Sequence, residues 1–305
     1  MSQARDLLPR VRWTLAEHVK GHSGEVESVW AMFSKGLPAL REKLRPIYGD
    51  ALTVNAVFCH GHPRAHFESE ASGQTSCEAG DLLLVVHQRD GQRTLRRRSL
   101  LLQLKMADKN SLSDDQNELY AKWPPFEFKY HGKTAAHHVL GEEHQGAQFA
   151  FIDKDSGDIT IDQHPIKPSI PIMDCMDWDL LLASELLLML TQPNTGGREF
   201  YSHSSLDTSG WSPVVWDLLQ TTFSASTYRK EPRVLDAGAV QLMFETMSRP
   251  QLFAGVPWES AAQELWAMGR NRDSPPERPP SDDVKVDEAT GTISTVIFEI
   301  DWSLA

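Results

Sequence analysis

Two uninterrupted apolar runs, separated by a residue pair that favours a turn, restrict the possible folds of this chain more than any other feature. The first run covers residues 82–86 (Leu-Leu-Leu-Val-Val) and the second covers residues 100–102, all leucine. Between them lies Asp90-Gly91, a pair that favours a tight hairpin turn. Apolar runs without polar alternation are typical of strands buried on both faces, with helices packed above and below. The sequence therefore predicts adjacent antiparallel strands at the centre of an α/β or α+β fold.

Polar residues stand at the matching ends of these two runs. Asp81 precedes the first run, and Gln103 and Lys105 flank Leu104 at the end of the second. Side chains alternate along a strand, so residues 103 and 105 point the same way, and antiparallel pairing brings residue 81 to the same sheet end. Oxygen ligands suit a hard divalent cation, and an ammonium can hold a phosphate or orient a water. We predict that Asp81, Gln103 and the Leu104 carbonyl bind Mg²⁺ (or Mn²⁺) beside Lys105.

In this context the chain resembles the PD-(D/E)xK superfamily of restriction-endonuclease-like nucleases, in a little-characterised bacterial branch. Gly80-Asp81 matches the first motif and Gln103-Leu104-Lys105 the second, within residues 55–126. The resemblance implies a mixed central sheet flanked by helices and a metal-dependent endonuclease that hydrolyses DNA, with RNA less favoured. A role in bacterial defence is implied only by where such nucleases commonly occur. Glutamine replaces the usual second acid, which removes one negative charge from the metal site.

The resemblance also implies a glutamate on the helix that precedes the sheet. Glu25 is our preferred candidate and Glu27 the alternative, because both flank the apolar face of a predicted helix. An acid in a first helical turn is also favourable to the helix dipole without any catalytic role. Glu78, three residues before Asp81, and His60 are further candidates for the same cleft.

A basic cluster lies near the hairpin, at Arg93, Arg96, Arg97 and Arg98. The net charge is −12, but residues 1–150 carry +1 and residues 151–305 carry −13. Local positive potential matters more for phosphate binding than global charge, so this cluster is predicted to contact nucleic acid. The alternative is a solvated edge strand that charges protect from aggregation.

The rest of residues 1–165 is predicted to complete the nuclease-like core. A capping-box pattern at Thr14 predicts a helix start, and apolar spacing predicts a helix over residues 24–44, with a kink or a break at Pro38. Ser113 is predicted to cap a helix over residues 114–122. Strands are predicted at residues 52–59, 65–68, 81–88, 100–107, 147–152 and 158–162.

Residues 166–305 are predicted to form a mainly helical region. Helices are expected at residues 177–190, 213–223, 236–247 and 258–268, followed by an exposed loop over residues 269–287. A final strand at residues 292–301 could return to the sheet. Trp211 and Trp216 could stack on bases, but their helical spacing favours core packing.

Histidines and cysteines give a weaker signal. Cys59, His60, His62, His66 and Cys77 are close enough to include zinc ligands, but the usual paired spacing is missing. His137, His138 and His144 are expected in an exposed polar loop.

Bulk properties leave two rival functions open. The chain lacks a long apolar segment and a secretory pattern, and three cysteines cannot all pair, so we expect a cytoplasmic protein without membrane contact. A homo-oligomer or a regulatory protein partner stays open.

One rival to the nuclease function is a catalytically inactive nuclease-like module that binds nucleic acid or a protein. The other is a structural or interaction protein in which Asp81 and Lys105 form a plain ion pair.

Overall fold

The computed structural model describes most of the N-terminal half and parts of the remainder. The described residues are 2–58, 63–91, 93–108, 112–130, 133–141, 146–162, 181–192, 196–201, 207, 209–228, 233–234 and 293–304. The helices are α1 (Ser2–Val19), α2 (Glu25–Ala31), α3 (Leu37–Tyr48), α4 (Asp114–Lys122), α5 (Leu182–Thr191) and α6 (Trp211–Tyr228). The strands are β1 (Leu52–Phe58), β2 (Arg64–Ser69), β3 (Gly73–Glu78), β4 (Leu82–Asp90), β5 (Arg93–Met106), β6 (Phe126–Tyr130), β7 (Lys133–His138), β8 (Ala147–Ile152), β9 (Ile159–Asp162), β10 (Arg198–Glu199), β11 (Arg233–Val234) and β12 (Ser294–Asp301).

The main sheet is mixed and has the order β11-β1-β12-β4-β5-β8-β9, with β10 also paired to β5. Strands β4 and β5 form the predicted antiparallel hairpin, and Gly91 in its turn has a φ of 55°. Strand β8 runs parallel to β5. Nearly all of β4 is buried, as its continuous apolar run predicts. The mixed α+β fold with a central sheet is thus confirmed.

Strand β12 lies inside this sheet rather than at its edge. Strand β12 pairs antiparallel with β1 and parallel with β4, and all eight of its residues are buried. The predicted return of residues 292–301 to the sheet is therefore confirmed for residues 294–301. The proposed division at residue 165 falls outside the described residues and stays a prediction.

Helices cover both faces of the main sheet and form two apolar cores. Helices α1, α2, α3 and α5 pack on the face that carries Leu82, Leu84 and Leu102. Helices α4 and α6 pack on the face that carries Leu83 and Leu101, together with a second antiparallel sheet of order β3-β2-β6-β7. The alternation of these leucines between the two cores explains why the runs show no polar gaps.

The structure corrects one helix prediction at its start and bears out another near Pro38. Helix α1 begins at Ser2, before the predicted capping box, and the Thr14 hydroxyl donates to the Arg10 carbonyl inside the helix. Thr14 is therefore an interior residue bonded one turn back, not a cap. The division predicted near Pro38 is present. A π-helical turn at Met32–Gly36 separates α2 from α3, and Pro38 lies in the first turn of α3, where proline costs little.

Several predictions outside the sheet are confirmed. Ser113 accepts a hydrogen bond from Gln116 N at 3.2 Å and caps α4, which ends at Trp123 in the left-handed region, with φ 42°. Helix α6 covers the predicted residues 213–223, and Trp211 is fully buried, as core packing requires. Helix α5 covers the described part of residues 177–190. The helices predicted at residues 236–247 and 258–268 and the loop at 269–287 lie outside the described residues.

Candidate active site

Asp81 and Gln103 meet where β4 begins and β5 continues past it. Asp81 N donates to Leu102 O at 2.8 Å, which closes the ladder between the two strands. One carboxylate oxygen of Asp81, Oδ2, accepts hydrogen bonds from Gln103 Nε2 and, at 2.6 Å, from the backbone N–H of Leu104. Side-chain alternation places Gln103 and Lys105 on the same sheet face as Leu101. The sequence-predicted convergence of Asp81 and Gln103 is therefore present.

Glu25 approaches the same stretch of β5 from the first turn of α2. Its Oε1 accepts a hydrogen bond from Met106 N at 3.3 Å, and its Oε2 lies 3.9 Å from Lys105 Nζ. The two acids, Asp81 and Glu25, thus bind peptide N–H groups that are two residues apart on one strand edge. Glu27, the alternative acid, is exposed.

The recess between these two acids is called the notch below, and it is bounded by Asp81, by β5 from Gln103 to Met106, and by Glu25. Strand β4 starts only at Leu82, so this edge of β5 lacks a paired β4 strand. The N–H and C=O of one strand residue point to the same edge, and the Leu104 N–H points to Asp81. The Leu104 carbonyl therefore also faces the notch.

The polar groups of the notch suit a divalent cation. Gln103 is completely buried and its Oε1 has no hydrogen-bond partner, while Asp81 is 8% exposed. A buried carbonyl oxygen without a partner costs about 1–3 kcal/mol. Gln103 could offer this oxygen to a cation only after its amide turned, because the amide nitrogen faces Asp81. The candidate set has two carboxylates, an amide oxygen and a peptide carbonyl, all oxygen ligands of the type that Mg²⁺ binds. Among the described residues no group of three or more His, Cys, Asp or Glu is placed to hold a metal ion, so a site here depends on amide and carbonyl oxygens.

Tyr120 borders the notch and was missed by the sequence reasoning. Its hydroxyl donates to Ala79 O at 2.7 Å, two residues before Asp81, and its ring packs on Phe149 with centroids 4.5 Å apart. Burial, reinforced by the nearby Asp81 charge, raises the Tyr120 pKa well above its usual value, so the hydroxyl stays protonated and donates. The signal in the sequence was the spacing of Gln116 and Tyr120, which puts both on the buried face of α4.

The other predicted site residues lie in different settings. Glu78 ends β3 and is half-buried, close enough to Tyr120 to influence its pKa. His60 lies outside the described residues, as do Cys59 and His62 of the zinc alternative. Cys77 is buried against apolar side chains, which raises its thiol pKa to about 12. That environment is typical of a structural cysteine.

The arginine cluster occupies the far half of β5 and does not reach the notch. Seven residues separate Arg98 from Lys105, or roughly 23 Å of strand. Arg98 is buried and donates to Gly196 O and Gly197 O, and Arg97 lies 5.7 Å from the centroid of the Trp216 ring. Arg96 donates to Gln192 O and Gln88 Oε1, whereas Arg93 is exposed. We expected these arginines to form a basic surface beside the site. Arg96, Arg97 and Arg98 instead make contacts within the protein.

The expected exposed loop around His138 also needs correction. His138 belongs to β7, is buried, and has Nε2 2.8 Å from Asp217 Oδ2 of α6. This pair links the second sheet to α6. His137 is exposed, as predicted, and His144 lies outside the described residues.

Comparisons with known proteins do not assign this chain to a family. No family model matches it, and neither the curated proteins nor the solved structures give a significant match. Among the described helices none is long and apolar enough to cross a membrane.

Proposed function

We propose that this protein is a metal-dependent nuclease of the PD-(D/E)xK type that hydrolyses phosphodiester bonds of DNA at the notch. The observation that carries the proposal is the convergence of Asp81, Gln103, Lys105 and Glu25 on one unpaired strand edge. A mixed sheet with helices on both faces and a glutamate on the preceding helix also agrees with that superfamily. Mg²⁺ or Mn²⁺ is the cofactor that this oxygen-rich set favours.

Each protein group then has a defined task. The cation would be held by Asp81, the Leu104 carbonyl and Gln103 Oε1. Glu25 would contribute directly or through a water, because the N–H groups that bond Asp81 and Glu25 lie roughly 7 Å apart. In the described structure Gln103 points its amide nitrogen at Asp81, so metal binding requires the amide to turn its oxygen towards the carboxylate. When bound, the cation would polarise the phosphate and lower the pKa of a water.

Lys105 provides the positive charge that faces the substrate. Its ammonium lies 3.9 Å from Glu25 Oε2, with 13% of the side chain exposed, and would bind a phosphate oxygen or orient the attacking water. In the hydrolysis the water oxygen bonds to phosphorus, the bond from phosphorus to one ester oxygen breaks, and that oxygen takes up a proton. The products are a phosphomonoester and a free hydroxyl.

The test is DNA cleavage by purified protein with Mg²⁺, Mn²⁺ or EDTA. We expect metal-dependent cleavage by the wild type and a loss of at least ~100-fold for Asp81→Asn and Lys105→Gln. Asp90→Asn, in the exposed hairpin turn, and Lys43→Gln, on the exposed side of α3, are matched controls that should cleave normally. Equal cleavage by all five proteins would reject the assignment.

The inactive-module alternative has one observation in its favour. Asp81 already accepts hydrogen bonds from Gln103 and Leu104, so the carboxylate is stabilised without any cation. Calorimetric titration with Mn²⁺ separates the two functions, since the nuclease should release or absorb heat in the wild type and not in Asp81→Asn. Absence of binding to the wild type would favour the inactive module.

A further inference from the structure

The reacting groups of the notch are recessed rather than displayed on a surface. Gln103 is fully buried and Asp81 is 8% exposed, while the side chains of Lys105 and Glu25 are 13% and 33% exposed. Lys105 and Glu25 are the more exposed members of this set, and a phosphate that approaches from their side would reach a recessed Asp81. The Leu104 and Met106 N–H groups, which bond the two acids, lie roughly 7 Å apart, and this separation gives the length of the notch.

The wall of the notch on the Asp81 side is held rigidly. Ala79 N donates to Pro63 O at 2.7 Å, and Ala79 O accepts from Tyr120. Gly80 packs so closely on β5 that a Cβ atom there would lie 2.6 Å from Leu101 Cδ1. These contacts leave little freedom for the Ala79–Asp81 backbone to move aside for a wide substrate.

The described charges around this end of the sheet favour a substrate that needs few phosphate contacts. Lys105 pairs with Glu25, and Lys154, which follows β8, pairs with Asp108, which follows β5. Duplex binding depends on several cations that neutralise neighbouring phosphates. The buried arginines of β5, which would be the natural source of such charge, are used inside the protein.

We propose, as an extension of the proposed nuclease function, that the notch accepts a single DNA strand and not an intact duplex. A flexible strand can bring one phosphodiester into a recess, whereas a paired strand must first be separated from its stack and its partner. Single-stranded tails and unpaired ends are then the regions that the enzyme cuts in a partly duplex substrate.

The experiment compares one end-labelled oligonucleotide in three forms with the full-length protein and Mn²⁺. The forms are the single strand, the same strand annealed to its full complement, and the same strand annealed to a shorter complement that leaves a tail. We expect the single strand to be cut at least ~10-fold faster than the full duplex, with cuts in the tailed form confined to the tail. Lys105→Gln should abolish all cleavage and Lys43→Gln should preserve it.

Two different results would overturn the inference. If the full duplex is cut as fast as the single strand, and Lys105→Gln is inactive, the nuclease function stands and the single-strand preference is wrong. If neither form is cut by the wild type, and a small activated phosphodiester such as bis(4-nitrophenyl) phosphate is not hydrolysed either, the nuclease function itself fails, and the substrate inference fails with it.

Discussion

Glu25 Oε2 and Lys105 Nζ lie 3.9 Å apart at the mouth of the notch, and the other oxygen of Glu25 binds the Met106 N–H. Glu25→Gln keeps an acceptor for that N–H and removes the negative charge. We expect the metal concentration for half-maximal activity to rise about 10-fold, because an anionic group near the cation is lost. The free energy of unfolding should change by less than ~1 kcal/mol, since the pair is partly solvated.

Glu27→Gln is the matched control for this prediction, because it removes an acid from the same helical turn at an exposed position. Metal titrations of cleavage, with urea unfolding of each variant, provide the readout. An equal shift in both variants would mean that Glu25 acts only through the general charge of α2.

Arg97 is predicted to matter for stability and not for DNA binding. Its Nη2 donates to Thr94 Oγ1 at 3.0 Å and its guanidinium covers Trp216, with 6% of the residue exposed. Arg97→Met should lower the free energy of unfolding by about 1–3 kcal/mol, whereas Arg93→Met should stay within ~0.5 kcal/mol. Urea unfolding and DNA binding by fluorescence anisotropy check both parts. Normal stability with weakened DNA binding in Arg97→Met would restore the role first predicted for this arginine.

His87 is predicted to make the fold sensitive to mild acid. Burial lowers its pKa, although Glu299, 3.2 Å away, favours the charged form, and Arg97 and Arg89 oppose it. A histidine with a folded pKa below its unfolded value of ~6.5 contributes its full stability above that pH and loses it as the pH falls. The free energy of unfolding should therefore decline from pH ~6.5 downwards.

His87→Gln should flatten that decline, because glutamine has no proton to gain. His137→Gln, at an exposed position of β7, should keep the wild-type slope. Urea unfolding at a series of pH values measures both. Parallel curves for wild type and His87→Gln would assign the acid sensitivity to other groups, such as Asp301, whose pKa is lowered mainly by its hydrogen bond from Ser303.

Phe298 tests how far the fold depends on β12. It is completely buried among the leucines of the core that faces α1, α3 and α5. Phe298→Ala should cost about 3–5 kcal/mol, since it removes a large side chain from a packed interior. Leu304→Ala, which is 63% exposed, should change stability by less than ~0.5 kcal/mol. A small loss for Phe298→Ala in thermal unfolding would contradict the central position of β12.

The hairpin of β4 and β5 was predictable because its signals are local. The apolar runs, the Asp90-Gly91 turn and the alternation of side chains fix the register, which in turn places Asp81 near Gln103. Tyr120 could not be placed in the same way, because a separate helix carries it to Ala79. Its approach depends on how α4 packs on the sheet, which no spacing within one strand encodes.

The arginines and His138 show where local patterns mislead. A run of charges such as residues 96–98 is usually solvated. The carbonyls of Gly196 and Gly197 bind Arg98 and the Trp216 ring contacts Arg97, and these groups from distant segments help to bury both arginines. His138 follows a polar stretch that suggested a loop, yet Asp217 of α6 gives it a buried partner. In both cases tertiary contacts overrode the local preference.

Placing β12 between β1 and β4 has a consequence for how the protein is made. During synthesis the chain emerges from its N-terminus, so β1 and β4 are available long before residues 294–301 exist. Until then β1 and β4 each have an edge without this strand partner. A neighbouring nascent chain could pair with the unbonded backbone groups of that edge. Correct assembly therefore has to wait for residues 294–301 to leave the ribosome, and a chaperone that shields those edges meanwhile would raise the yield of folded protein.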